Sequence, residues 1–177
     1  MRLVNPPPED GLTLLPLTAL QQTTDYTCGP AAAVSLLRFY QRDGDELAIA
    51  KEMKTNEQVG TTPENMAAWF QTHGFSVQWG ENGTLDLLRE NLAKGIPTLV
   101  EWSDWGGHWV IVIGYDTRKS ETIDDDVILF ADPSDTHDDR ADGITWFNAD
   151  RFNYMWYDAL LFGRVMKRVY VTPVPST

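Results

Sequence analysis

One thiol and three imidazoles bound the chemistry open to this chain: Cys28 is the single cysteine, and His73, His108 and His137 are the histidines. A lone cysteine excludes an internal disulfide and a cysteine-rich zinc site. It leaves nucleophilic thiol chemistry, which needs a base. Cys28 stands in Gln22-Thr-Thr-Asp-Tyr-Thr-Cys28-Gly29-Pro30, where an extended segment runs into a predicted helix. A helix N-terminus carries unpaired N–H groups and partial positive charge, and both favour thiolate over thiol. The same N–H groups suit the oxyanion formed when sulfur attacks a carbonyl. Gln22, six residues before Cys28, is a second candidate donor through its side-chain amide, with Gln21 beside it as the other register.

The helix alone is not sufficient. Lowering a cysteine pKa from about 8.5 to about 4 needs roughly 6 kcal/mol, and a helix terminus gives at most about 2 kcal/mol. A neighbouring imidazolium must supply most of the rest. His108 is best placed, in Trp105-Gly106-Gly107-His108-Trp109-Val110-Ile111-Val112-Ile113, where it opens an apolar strand after two glycines. His73 sits just before Gly74 at a predicted helix end, a common capping place, and His137 lies in a charged loop. A base histidine needs an acceptor on its other nitrogen. Asp132, in Phe130-Ala131-Asp132-Pro133, ends the next apolar strand and can reach the ring if the two strands pair. Asp116 lies eight residues from His108 on the same strand. That is about 26 Å when extended, which is too far.

The elements that must hold these groups follow from patterning. Helices are predicted from Cys28, with Pro30 in the first turn; over 45–53; after the Thr62 cap, ending at Gly74; and over 84–94, where Leu85, Leu88 and Leu92 keep helical spacing. From Pro97 the composition turns to Val, Ile, Trp and Tyr, and strands are predicted over 98–102, 108–115, 127–131 and 164–171, with a short helix over 148–156. Residues 1–17, with Pro6, Pro7, Pro8 and Pro16, read as an extended arm before a single domain over 18–177. Helices first and strands later imply an α+β fold, an N-terminal helical half on a C-terminal antiparallel sheet.

Composition narrows the partners. The 177 residues are 42% hydrophobic and carry a formal net charge of −12. That charge argues against nucleic acid or an anionic membrane surface as partner. No apolar run is long enough to span a bilayer, and the first residues lack the apolar stretch of a signal peptide, so membrane insertion is not expected and a cytoplasmic location is. Acidic residues cluster near the candidate strands: Glu101, Asp104, Asp135, Asp138 and Asp139. If they rim the cleft, basic or neutral peptides are favoured over acidic ones.

Taken together, Gln22, the Cys28-Gly29-Pro30-Ala31-Ala32 helix start, Gly107-His108-Trp109-Val110 and Asp132-Pro133 resemble the papain-like cysteine peptidases. The closest resemblance is to the double-glycine leader, or bacteriocin-processing, family (cysteine peptidase family 39) and its stand-alone relatives. The resemblance implies a papain-like fold, with Cys28 as nucleophile, His108 as base, Asp132 as orienting residue and Gln22 as oxyanion donor. It implies cleavage of a peptide or other amide bond in a peptide or protein substrate, with no cofactor. Two alternatives stay open: an acyltransferase or transpeptidase on the same thioester, and a non-catalytic peptide-binding module of the same fold. The 177 residues hold no membrane spans and no ATPase motif, unlike the best-known members, so leader-peptide export is not implied.

Overall fold

Helix α1 (Cys28–Phe39) is built to lie close against a sheet: Ala31, Ala32 and Ala33 are all fully buried, and such small side chains let the helix backbone approach. The computed structural model describes residues 11–135, 140, 142–158 and 163–176; His137, Asp138 and Asp139 therefore lie outside the described residues. Strand β1 (Leu12–Leu14) precedes α1, and Leu15 and Leu17 follow it into the core. Helices α2 (Glu46–Glu52) and α3 (Pro63–Thr72) come next, then strand β2 (Phe75–Gly80) and helix α4 (Leu85–Ala93). Strands β3 (Thr98–Trp102), β4 (His108–Asp116), β5 (Val127–Ala131) and β6 (Ile144–Asn148) follow, then helix α5 (Ala149–Met155) and strand β7 (Val169–Pro175).

The strands form one antiparallel sheet in the order β2-β7-β3-β4-β5-β6, with β1 paired to β4. Strand β4 is central and buried along all nine residues, which accounts for its unbroken apolar run. Helix α1 packs on β4, and α3 packs on β2 and β7. Phe152 of α5 joins Trp102 and Phe130 in an aromatic cluster, with ring centroids 5.2–5.6 Å apart.

The α+β class holds, with three strands beyond those expected: β1, inside the stretch read as an extended arm, pairs with β4, and β2 and β6 are also added. Strand β2 pairs with β7, and β6 pairs with β5; both lie at the sheet's edges. Edge strands bury little, so neither stands out by apolar content. The closing strand is Val169–Pro175, a few residues later than the expected 164–171, because Arg164 to Arg168 lead into it.

Candidate active site

Cys28 is the first residue of α1 and is 7% exposed. The end it occupies differs from those of the other helices. Asp45, Thr62, Thr84 and Asn148 each accept a hydrogen bond from a first-turn N–H of α2, α3, α4 and α5. Thr27, in the corresponding place on α1, makes no such bond. Its hydroxyl turns back instead to the Thr24 carbonyl and hydroxyl. Of the first N–H groups of α1, that of Gly29 faces the Cys28 sulfur, Pro30 has none and that of Ala31 donates to the Thr27 carbonyl. The Cys28 N–H is thus the one without an acceptor among the described residues. Gly29 is required beside the thiol, since a Cβ there would lie 2.6 Å from Thr61 Oγ1. The Thr61 carbonyl in turn accepts the Trp109 indole N–H at 2.9 Å. That bond ties the segment packed on Gly29 to β4.

His108 opens β4 and is 3% exposed. The chain reaches it through Trp105, Gly106 and Gly107, with φ values of 54°, 87° and 150°, a turn that glycine makes without strain. His108 Nε2 donates to Asp132 Oδ1 at 2.8 Å, and the ring lies near enough to Cys28 to interact with the thiol electrostatically. With Nε2 taken by the carboxylate, Nδ1 is the nitrogen left for the sulfur. Asp132 is fully buried just beyond β5. Its Oδ1 also accepts the Ser134 N–H at 2.8 Å, and its Oδ2 accepts the Thr145 hydroxyl at 2.9 Å. The carboxylate is therefore held on both oxygens.

The electrostatics follow from these contacts. Burial pushes the Cys28 thiol up, but the hydrogen bond and charge of His108, with the backbone N–H groups of Trp109 and Gly29, hold it below its ordinary value. Burial pushes His108 down, yet its bonds to Asp132 and Cys28 outweigh this and raise it to about 10. Burial also raises Asp132, but the hydrogen bond and charge of His108, then Ser134 and Thr145, keep it below the usual carboxylate range. These shifts all favour a thiolate beside an imidazolium, with a carboxylate behind it.

Gln22 lies in the segment ahead of α1. Its backbone N–H donates to the Pro133 carbonyl at 2.9 Å, which fastens it beside Asp132. Its side-chain nitrogen donates to the Thr24 carbonyl at 2.7 Å, and Oε1 is buried without a partner. Among the described residues it makes no hydrogen bond to Cys28. Gln21 joins the same turn: its side-chain nitrogen donates to the Asp132 carbonyl at 2.9 Å, and its Oε1 accepts the Asp135 N–H. His73 caps α3, with Nδ1 donating to the Trp69 carbonyl at 2.7 Å. Asp116 ends β4 and accepts the Arg118 N–H, apart from the histidine.

A cleft of 170 Å³ is lined by Cys28, Gly107, Trp109 and Glu101, with Asp25 and Glu57 among the other lining residues. Of the described members of the expected acidic rim only Glu101 lines it. Asp104 does not, although Trp105 and Gly107 of the same turn do, nor does Asp135, and Asp25 and Glu57 of the N-terminal half supply the other carboxylates. A roomier hollow of 460 Å³ beside Arg89 and Tyr115 holds no thiol or histidine. Sequence reasoning missed Thr61, Thr145 and the unfilled cap at Thr27.

Several solved structures share this fold. The peptidase domain of Streptococcus ComA, a bi-functional ABC transporter involved in quorum sensing, superposes with a TM-score of 0.65 at 17% identity, covering 90% of this chain and 99% of that one. A C39-like peptidase from Bacillus anthracis gives 0.66 at 13% identity, covering 95% and 100%. Xylellain, a cysteine protease from Xylella fastidiosa, gives 0.60 at 12% identity, covering 94% and 86%. None of the functionally curated proteins matches the sequence. Residues 14–159, most of the chain, match the family described as Peptidase_C39 like, and the protein belongs to that family.

Proposed function

We propose that the protein is a cysteine peptidase that cleaves a peptide or another amide bond through Cys28, His108 and Asp132. The observation that carries this reading is the His108–Asp132 hydrogen bond, with Cys28 electrostatically coupled to the same ring and set at a helix end with no side-chain cap. The Cys28 thiolate attacks the scissile carbonyl carbon and forms a carbon–sulfur bond. The carbonyl electrons move onto oxygen, and the Cys28 backbone N–H at the start of α1 receives that charge. Gln22 adds a donor through the amide hydrogen not given to Thr24. When the intermediate collapses, the His108 imidazolium gives its proton to the leaving amine, and the carbon–nitrogen bond breaks. Neutral His108 then takes a proton from water, whose hydroxide displaces sulfur and releases the acid. Asp132 does not take the proton; it holds the ring in orientation and stabilises its charge.

Peptide mixtures incubated with wild type, Cys28→Ala and His108→Ala, and read by mass spectrometry, test this. Any cleavage found should fall by at least about 10³-fold in both variants. Undiminished cleavage by folded Cys28→Ala would overturn the reading.

A further inference from the structure

Glu101 is a buried carboxyl that the reaction leaves unused. It stands opposite Trp109 in the β3–β4 register and is 1% exposed. Neither of its oxygens has a hydrogen-bond partner among the described residues. Buried polar groups are normally satisfied, so an orphaned carboxyl marks a place where a partner is missing. Glu101 is among the residues that line the 170 Å³ cleft shared with Cys28, its carboxyl buried in the wall. Two further carboxylates, the exposed Asp25 and Glu57, stand around that cleft, and among the described residues no lysine or arginine lines it. Tyr26, Trp105 and Trp109 supply aromatic walls. Carboxylates and ring faces together attract ammonium and guanidinium groups. Trp105 is held at φ 54° and left 72% exposed, a conformation and exposure unusual for so bulky a residue.

We propose that Glu101 is the specificity-determining residue of this cleft, receiving the lysine or arginine side chain of the substrate residue that supplies the scissile carbonyl. The proposal rests on the thiol-peptidase reading above. Cys28 is part of the same wall, so the residue whose carbonyl reaches the sulfur is the one whose side chain meets Glu101. Without a cation, burial, followed by the negative charges of Asp158 and Cys28, pushes Glu101 up to about 9, against the pull of His108. The carboxyl is then neutral at pH 7 and does not oppose the thiolate. An arriving cation supplies the missing counter-charge, Glu101 releases its proton to solvent, and the resulting ion pair again leaves the thiolate unopposed.

The test compares acetyl-Gly-Lys chloromethyl ketone with its norleucine analogue, which has a similar shape without the charge. In each, sulfur displaces chloride, and mass spectrometry follows Cys28 alkylation. Wild type should react faster with the lysine probe by about tenfold or more. The ratio should approach one in Glu101→Gln. In Asp25→Asn with Glu57→Gln it should fall only in part, to the value that wild type shows in high salt, because only the exposed charges are screened. A ratio near one in wild type, or a ratio unchanged in Glu101→Gln, overturns the proposal. Iodoacetamide, which tests the thiol without a side chain, separates this from failure of the peptidase reading. Fast alkylation of wild-type Cys28 at pH 6 with no lysine preference removes Glu101 alone. Alkylation no faster than that of free cysteine overturns both.

Discussion

Three residues, each costly to bury, offset one another's charge: His108 is hydrogen-bonded to Asp132 and coupled electrostatically to Cys28. Asp132 would be destabilised at 0% exposure were its oxygens not shared among His108, Ser134 and Thr145. Glu101 lacks such partners, and this has a measurable consequence. Its pKa is raised from the ordinary value to about 9, through burial and then through Asp158 and Cys28, with His108 opposing. A carboxyl whose folded pKa lies above its unfolded one costs stability progressively across the interval in which only the unfolded state is ionised. Wild type therefore loses stability as pH rises from about 4.5 towards 9. Glu101→Gln, which cannot ionise, should be more stable than wild type by up to about 3 kcal/mol at pH 7, with the gain vanishing near pH 4. Urea denaturation at the two pH values measures this, and an equal gain at both would contradict it. Gln22→Ala should keep its melting temperature within a few degrees but lower turnover by about 10²–10³. Unchanged turnover would remove Gln22 from the oxyanion site and leave it as a tie to Pro133.

Among the elements, the junction of α1 with the segment around Thr61 is the tightest point near the thiol. A methyl group at Gly29 would meet Thr61 Oγ1 at 2.6 Å and Thr61 Cβ at 2.8 Å. Gly29→Ala should cost about 1–3 kcal/mol and slow Cys28 alkylation, because the helix end shifts relative to His108. Thermal denaturation read together with iodoacetamide kinetics checks both, and a neutral result in each would show that the contact is slack. The same scale explains what the sequence disclosed. Pro30 in the first turn, the Thr62 and Thr84 caps and the leucine spacing of α4 are local signals, and the helices fall where they indicate. Strands β3, β4 and β5 are fully buried and stand out by composition. Strand β2 has a mostly exposed pattern and β6 a partly exposed one, so neither is marked by an apolar run. Thr145 went unseen for that reason, since its role depends on a strand that composition does not reveal.

At the level of the whole molecule, Cys28 and His108 are 80 residues apart in sequence. Only the packing of α1 on β4, and of β4 beside β5, brings thiol, ring and carboxylate into one row. The candidates themselves were legible because cysteine and histidine are scarce and their order is informative. The cleft's acidic lining was not, because Asp25 and Glu57 reach it from the N-terminal half while Asp104 and Asp135 do not. The central claim is that this packing creates a thiolate–imidazolium pair. The pH profile of Cys28 alkylation by iodoacetamide, in wild type and in His108→Ala, tests it most directly. Wild type should react at a rate that persists well below the unperturbed thiol pKa of about 8.5. His108→Ala should show a profile moved upward to about 8.5 or above, because burial remains and the cation is gone. Superimposable profiles in two folded proteins would contradict the account.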